Sequence, residues 1–70
     1  MGPLGSSVTV TFHVESQKMS FGNACIFTNT FRRVGAEWQG KSIVVHGADN
    51  IEEMERMLNA VNLEYTAKEA

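Results

Sequence analysis

Apolar and polar residues alternate from Val8 to Val14, with valine or phenylalanine at every second position and threonine or histidine between them. Successive side chains of a β-strand point to opposite faces, so this pattern predicts a half-buried strand. Val10 and Phe12 are then expected in the core, while His13 shares the other face with threonines.

A second extended region is predicted between Ala24 and Trp38. Residues 25–28 are Cys, Ile, Phe and Thr, types that favour strands. A bend or bulge at Asn29 or Gly35 would divide this long segment. Residues 15–23, rich in polar residues and glycine, predict a loop before it.

A β-hairpin is expected around Gln39-Gly40. A two-residue turn there puts Trp38 opposite Lys41 and places the apolar residues of both strands on one face. The pairs that follow are Ala36 with Ile43 and Val34 with Val45. The other face carries Arg33, Gly35 and Glu37 opposite Ser42, Val44 and His46, and is expected to face solvent or a partner.

The most strongly patterned segment is an amphipathic helix at about 50–61. Asp49 is the expected N-cap and Glu52 completes a capping box with it. Apolar residues recur at helical spacing and define one buried stripe, namely Ile51, Met54, Leu58 and Val61. Asn62 is expected to end the helix, and residues 63–66 to add a short edge strand.

These elements predict an α+β fold, in which a small antiparallel sheet of three to four strands packs against one C-terminal α-helix. Residues 1–6 resemble an expression-tag remnant, residues 7–66 form a single domain, and residues 67–70 are expected to fray. The predicted core comprises Val10, Phe12, Ile26 or Phe27, Val34, Trp38, Ile43, Val45, Ile51, Met54, Leu58 and Val61.

Chain length limits the stability of such a domain. About sixty ordered residues bury only about 60% of their unfolded surface, so a homodimer formed through a sheet edge or face would supply additional burial. Cys25 is the single cysteine, which predicts a reducing, cytoplasmic environment rather than a disulfide framework. No apolar segment has the length of a membrane span.

Charge is distributed unevenly along the chain, although the net charge is only −2. Residues 47–70 carry six acidic side chains against two basic ones. The predicted helix therefore offers an acidic face to a protein partner, formed by Glu52, Glu53 and Glu55 with Arg56. We expect a non-enzymatic binding protein that acts through protein contacts, as a small regulator or inhibitor.

The alternative hypothesis is a nucleic-acid-binding domain. Residues 18–46 carry four cations against one glutamate and also hold most of the aromatic residues, a combination that can bind nucleic acid on strands. The residues of this basic set are Lys18, Arg32, Arg33, Lys41 and His46. A sequence pI near 5.5 weakens this hypothesis, because such binders are usually basic.

Catalytic chemistry is not indicated. Cys25 could pair with His13 or His46 as nucleophile and base, but no oxyanion-hole signature accompanies them. His13, His46 and Asp49 lack the spacing of metal ligands. The sequence therefore predicts no catalytic residue, no metal site and no cofactor.

Overall fold

The computed structural model describes residues 8–69, which form a four-stranded antiparallel sheet and two helices. The elements in chain order are β1 (Thr9–Val14), α1 (Phe21–Arg33), β2 (Glu37–Gln39), β3 (Ser42–His46), α2 (Ala48–Ala60) and β4 (Tyr65–Glu69). The α+β class and the small antiparallel sheet are confirmed. The prediction of one C-terminal helix is wrong, because a second helix follows β1.

The strands are ordered β2-β3-β1-β4 and every neighbouring pair is antiparallel. A βαββαβ chain with this order has the ferredoxin-like arrangement, in which each helix connects two strands that are not neighbours. Phe12, Val14, Ile43 and Val45 on one face of the central strands are at most 1% exposed. Both helices therefore cover the same face and leave the opposite one open.

Helix α1 replaces the strand expected at residues 24–30 and the extended segment that was to follow it. Ser20 caps it, with its hydroxyl accepting a hydrogen bond from the Asn23 amide at 3.2 Å. Phe27, Thr30 and Val34 recur at helical spacing and are buried. Packing of this stripe overrides the strand preference of the residues around Cys25.

Both helices end in the same way. Gly35 follows α1 at φ +68 and Asn62 follows α2 at φ +60, each in the left-handed conformation that stops a helix. After α2, the Leu63 amide donates to the Leu58 carbonyl at 3.1 Å. This bond and the apolar contact it allows form a Schellman motif, and the expected helix end at Asn62 is confirmed.

The start of α2 differs from the predicted capping box. The helix begins at Ala48, and Gly47 at φ 93 occupies the cap position without a side-chain hydrogen bond. Asp49 lies in the first turn, where its charge favours the positive end of the helix dipole. The Asn50 side chain donates to the His46 carbonyl at 2.9 Å and ties the helix start to β3.

The hairpin between β2 and β3 turns at Gly40-Lys41 rather than at Gln39-Gly40. Trp38 consequently pairs with Ile43, not with Lys41. Gly40 has φ +65, as the first position of a type II′ hairpin turn requires. This register differs from the predicted one by two residues, so Glu37, Trp38 and residues 42–46 keep their predicted faces. The expected strand positions at residues 33–35 are wrong, because these residues form the end of α1 and the turn that follows it.

The core agrees with most of the predicted set, with specific exceptions. Trp38 is 38% exposed and Ile26 is 47% exposed, because Trp38 lies on an edge strand and Ile26 on the flank of α1. Val10 and Ile51 are half-buried. Of the alternatives Ile26 and Phe27, Phe27 lies in the core, which also contains three residues outside that set, Val14, Met57 and Leu63.

Strand β4 forms the edge of the sheet beside β1. It begins at Tyr65 and continues to Glu69, two residues after the start and three beyond the end of the edge strand expected at 63–66. Residues 67–69 thus lie in a strand, although fraying was expected there. Residues 1–7 and Ala70, which include the expected tag remnant, are outside the described residues.

Candidate functional site

The face of the sheet opposite the helices is called the open face here, because no element among residues 8–69 covers it. The strand pairing places ten side chains on it: Thr9, Thr11, His13, Glu37, Gln39, Ser42, Val44, His46, Thr66 and Lys68. Threonine and serine predominate at its centre. The only charged groups besides the histidines are Glu37 and Lys68, which lie on the two edge strands.

One row of the open face runs straight across all four strands. Val44 lies between Glu37 on one side and Thr11 on the other, and Thr11 is paired in turn with Lys68. Strands are spaced about 4.8 Å apart, so the two ends of this row are separated by roughly 14 Å. Glu37 and Lys68 form no ion pair with each other or with another described residue.

A second row contains His13, whose ring joins two elements. Its Nε2 lies 2.8 Å from the Glu15 carboxylate and its Nδ1 lies 3.4 Å from the Ser42 hydroxyl. The hydrogen bond from His13, the charge of His13 and the nearby Lys41 hold the pKa of the Glu15 carboxyl below its ordinary value. At the other end of the open face, Thr9 Oγ1 and His46 Nδ1 lie 2.8 Å apart.

Ser42 contacts His13, and His13 contacts Glu15. A serine nucleophile, its base and an acid that orients the base would be arranged in the same order. The Ser42–His13 distance of 3.4 Å exceeds the roughly 2.6–3.2 Å of an activated nucleophile. His13 and Glu15 are also 43% and 76% exposed, so water competes for both groups. We interpret this array as a cross-strand hydrogen-bond network.

Cys25 and the candidate metal ligands are not gathered into a site. Cys25 is exposed on α1, in the helical layer, whereas His13 and His46 lie on the open face of the sheet. Within residues 8–69, no group of three or more His, Cys, Asp or Glu side chains is positioned to hold a metal ion.

The predicted acidic face of α2 is partly occupied by contacts within the chain. Glu53 accepts hydrogen bonds from Arg33 of α1, with the Arg33 Nε at 2.9 Å. Glu52 pairs with Arg56 one turn later at 3.3 Å, and Glu55 is half-buried. Two of the three glutamates therefore already have a cationic partner.

The predicted basic set is divided between opposite ends of the molecule. Lys18, in the segment before α1, and Lys41, in the hairpin turn, lie at the end of the sheet where β1 finishes. Arg32 and Arg33 belong to the last turn of α1 at the other end. His46 lies on the open face beside Thr9, so these five residues do not form one surface.

Aromatic side chains are also absent from the ten positions of the open face. Phe27, Phe31 and Trp38 instead stack on one another beneath α1, with ring centroids 5.6–6.0 Å apart. Phe21, at the start of α1, is 86% exposed. The stacking platform that strands use to bind single-stranded nucleic acid is therefore missing here.

An open cleft of about 700 Å³ lies where the α2–β4 connection meets the end of β1. Its lining includes His13, Tyr65 and the carboxylates of Glu15 and Glu64, but no lysine or arginine. A lining with two carboxylates and no permanent cation disfavours an anionic ligand.

No family model matches this chain, and no curated protein or solved structure resembles it closely enough to match. None of the helices among residues 8–69 is long and apolar enough to cross a membrane.

Sequence reasoning found part of the open face and missed the rest. The alternation in β1 and β3 placed His13, Ser42, Val44 and His46 away from the core. Thr66 and Lys68 were missed because no sequence signal showed that residues 65–69 pair with β1. The available signal was the alternation of apolar and polar residues over 63–68, which are Leu, Glu, Tyr, Thr, Ala and Lys, because it predicts a strand that continues past residue 66.

Proposed function

We propose that this chain is a non-enzymatic protein-binding module that uses the open face of its sheet, and that it works as a small regulator or inhibitor. The observation that carries the proposal is the layout of the open face. Both helices are on the other side, and among the ten side chains the carboxylate of Glu37 and the ammonium group of Lys68 lie on the two edge strands; the Glu15 carboxylate that contacts His13 lies just beyond the end of β1.

This layout agrees with one property of protein interfaces, the position of their charged groups. Charged residues are depleted at the centre of an interface, while polar and charged groups form its rim. The short side chains of Thr9, Thr11 and Ser42, of which the threonines are also β-branched, lose little conformational entropy when a partner immobilises them. A module with no catalytic group acts on its partner by occupying the partner's surface, which is how a regulator or inhibitor works.

The nucleic-acid hypothesis is less well supported. It requires the basic residues to share a surface with aromatic side chains, but Lys18 and Lys41 lie at one end and Arg32 at the other. Its prediction is micromolar, salt-sensitive binding of oligonucleotides, weakened by Lys41→Ala.

The proposal is tested by site-specific photo-crosslinking in an extract of the organism that encodes the chain. The crosslinker replaces Thr11 on the open face or, as a control, Thr28 on the exposed side of α1. We expect a protein adduct from position 11 but not from position 28.

Variants with matched chemistry establish whether the adduct depends on this surface. Thr66→Arg, also on the open face, should abolish it, whereas Thr28→Arg should leave it unchanged, with circular dichroism verifying the fold. The absence of an adduct from position 11, or an adduct unaffected by Thr66→Arg, would contradict the proposal. Labelled oligonucleotides titrated at two salt concentrations test the alternative in parallel.

A further inference from the structure

The two charged ends of the central row suggest what occupies the open face. Glu37 on β2 and Lys68 on β4 have opposite charge, are exposed, and lie too far apart to pair within one chain. They occupy the same row across the sheet, with Val44 and Thr11 between them. When a second copy of this face is rotated by 180° about an axis parallel to the strands, its Glu37 lies over Lys68 of the first copy and its Lys68 over Glu37. The face is therefore complementary in charge to itself.

We propose that the open face binds a second copy of this chain, as a symmetric dimer in which Glu37 of each subunit pairs with the partner's Lys68. This proposal rests on the proposed function, since it names the protein that occupies the same surface. The two-fold axis lies between the sheets, parallel to the strands. It places β2 of one subunit over β4 of the other and β3 over β1.

Every row of the open face agrees with this symmetry. In the central row, the Val44 side chain meets the methyl group of the partner's Thr11. In the next row, Ser42 lies over the partner's His13 and Gln39 over the partner's Thr66, and the Gln39 amide can share a hydrogen bond with the Thr66 hydroxyl. In the last, His46 lies over the partner's Thr9.

Charge also excludes the other face-to-face arrangement. A two-fold axis perpendicular to the strands stacks each strand on its own copy. The Glu37 edges then meet each other and so do the Lys68 edges, which places like charges together at both sides of the interface. The charged row thus favours the axis parallel to the strands over the axis perpendicular to them.

The size of the face determines how tight this dimer is. Four strands about 4.8 Å apart and five residues of about 3.3 Å each make a surface of roughly 19 Å by 17 Å. That is about 320 Å² per subunit and about 650 Å² in total, well below the roughly 1,200 Å² of a standard specific interface, so only a weak and transient dimer is expected. We expect a dimer that forms at micromolar to millimolar concentration.

Sedimentation velocity of the purified chain over this range tests the proposal. The wild type should shift from monomer to dimer as concentration rises. Glu37→Lys and Lys68→Glu should each weaken dimerisation at least about tenfold, because symmetry makes every substitution act twice. Glu69→Lys, which changes the charge of the neighbouring residue on the other face of β4, should have little effect.

Charge exchange distinguishes this interface from a general electrostatic effect. The double variant E37K/K68E restores both pairs and should dimerise within about threefold of the wild type. An equimolar mixture of E37K and K68E should form heterodimers about as readily as the wild type forms homodimers, although each variant alone should dimerise at least about tenfold more weakly. Both substitutions are at exposed edge positions, and thermal unfolding verifies that each variant remains folded.

Three outcomes would overturn the dimer. They are a wild type that stays monomeric at millimolar concentration, a dimer insensitive to both single substitutions, and a failure of the mixture to associate. A monomeric chain whose position 11 still crosslinks to another protein would overturn the dimer alone and leave the proposed function standing. A monomeric chain that yields no adduct would overturn both.

Discussion

Arg33 at the end of α1 donates from Nε and from Nη2 to the same carboxylate oxygen of Glu53 on α2. The contact joins the two helices on the side away from the sheet. Arg33 belongs to the basic set predicted to bind nucleic acid, and Glu53 belongs to the acidic face predicted to bind a protein partner.

Glu53→Gln is expected to destabilise the fold only slightly. The two side chains are 57% and 37% exposed, and ion pairs in contact with water contribute about 0–1 kcal/mol. The loss of unfolding free energy should be smaller still in 1 M salt, because screening already weakens the ion pair in the wild type. Urea unfolding at two salt concentrations measures it, and a loss above about 2 kcal/mol would show that the contact is more than a surface ion pair.

Gly35→Ala is expected to lower the free energy of unfolding by about 1–2 kcal/mol. The cost is conformational, because Gly35 has φ +68 and an added Cβ would meet no atom within 4 Å. Gly22→Ala is the matched control, since Gly22 lies inside α1 with the same free space around it. That control should keep or raise stability, because alanine favours a helix. Shifts of the melting temperature in opposite directions for the two variants would verify both the helix and the position of its end.

Leu58→Ala is expected to cost about 2–5 kcal/mol. The side chain is 0% exposed, and its carbonyl also accepts the hydrogen bond that ends α2. Ile26→Ala serves as control, because Ile26 is 47% exposed and should cost much less. Equal losses in urea unfolding would contradict the assignment of residues 24–33 to a helix with Ile26 on its flank.

His13→Ala is expected to raise the pKa of the Glu15 carboxyl towards its ordinary value, because it removes the hydrogen bond and the charge that lower it. A lowered pKa in the folded state contributes stability above the pKa of the unfolded chain. That contribution is lost as pH falls through the folded value. The stability difference between variant and wild type should therefore shrink between about pH 5 and pH 2.

NMR titration of the Glu15 side chain measures this shift directly. His46→Ala is the control, since His46 hydrogen-bonds Thr9 and does not contact Glu15. A Glu15 pKa that is the same in wild type and His13→Ala would show that the hydrogen bond is absent in solution.

The sequence contained the signals for β1, α2 and the faces of the β2–β3 hairpin, because their patterns are local. Helix α1 could not be identified in the same way, since Cys25, Ile26 and Thr28 favour strands and only packing of Phe27 and Val34 decides otherwise. Ser20 was the overlooked local signal, because serine is a favoured helix N-cap. Its hydroxyl accepts a hydrogen bond from the amide of Asn23, three residues later.

The candidate site shows the same division. Half of the open face follows from alternation within β1 and β3, which a reader can count along the chain. The pairing of Thr11 with Lys68 joins residues that are far apart in the sequence, and no local pattern specifies it. Glu37 and Lys68 consequently had no visible relationship until the strand order was known.

Strand β1 lies in the interior of the sheet, although it is the first element among residues 8–69 and one of its two neighbours is the last of them. During synthesis, one edge of β1 therefore stays without hydrogen-bond partners until residues 65–69 leave the ribosome. A chain that stops before β4 would expose an alternating strand with a free edge, the kind of segment that recruits other strands and aggregates. Completion of the last strand is thus what protects the first.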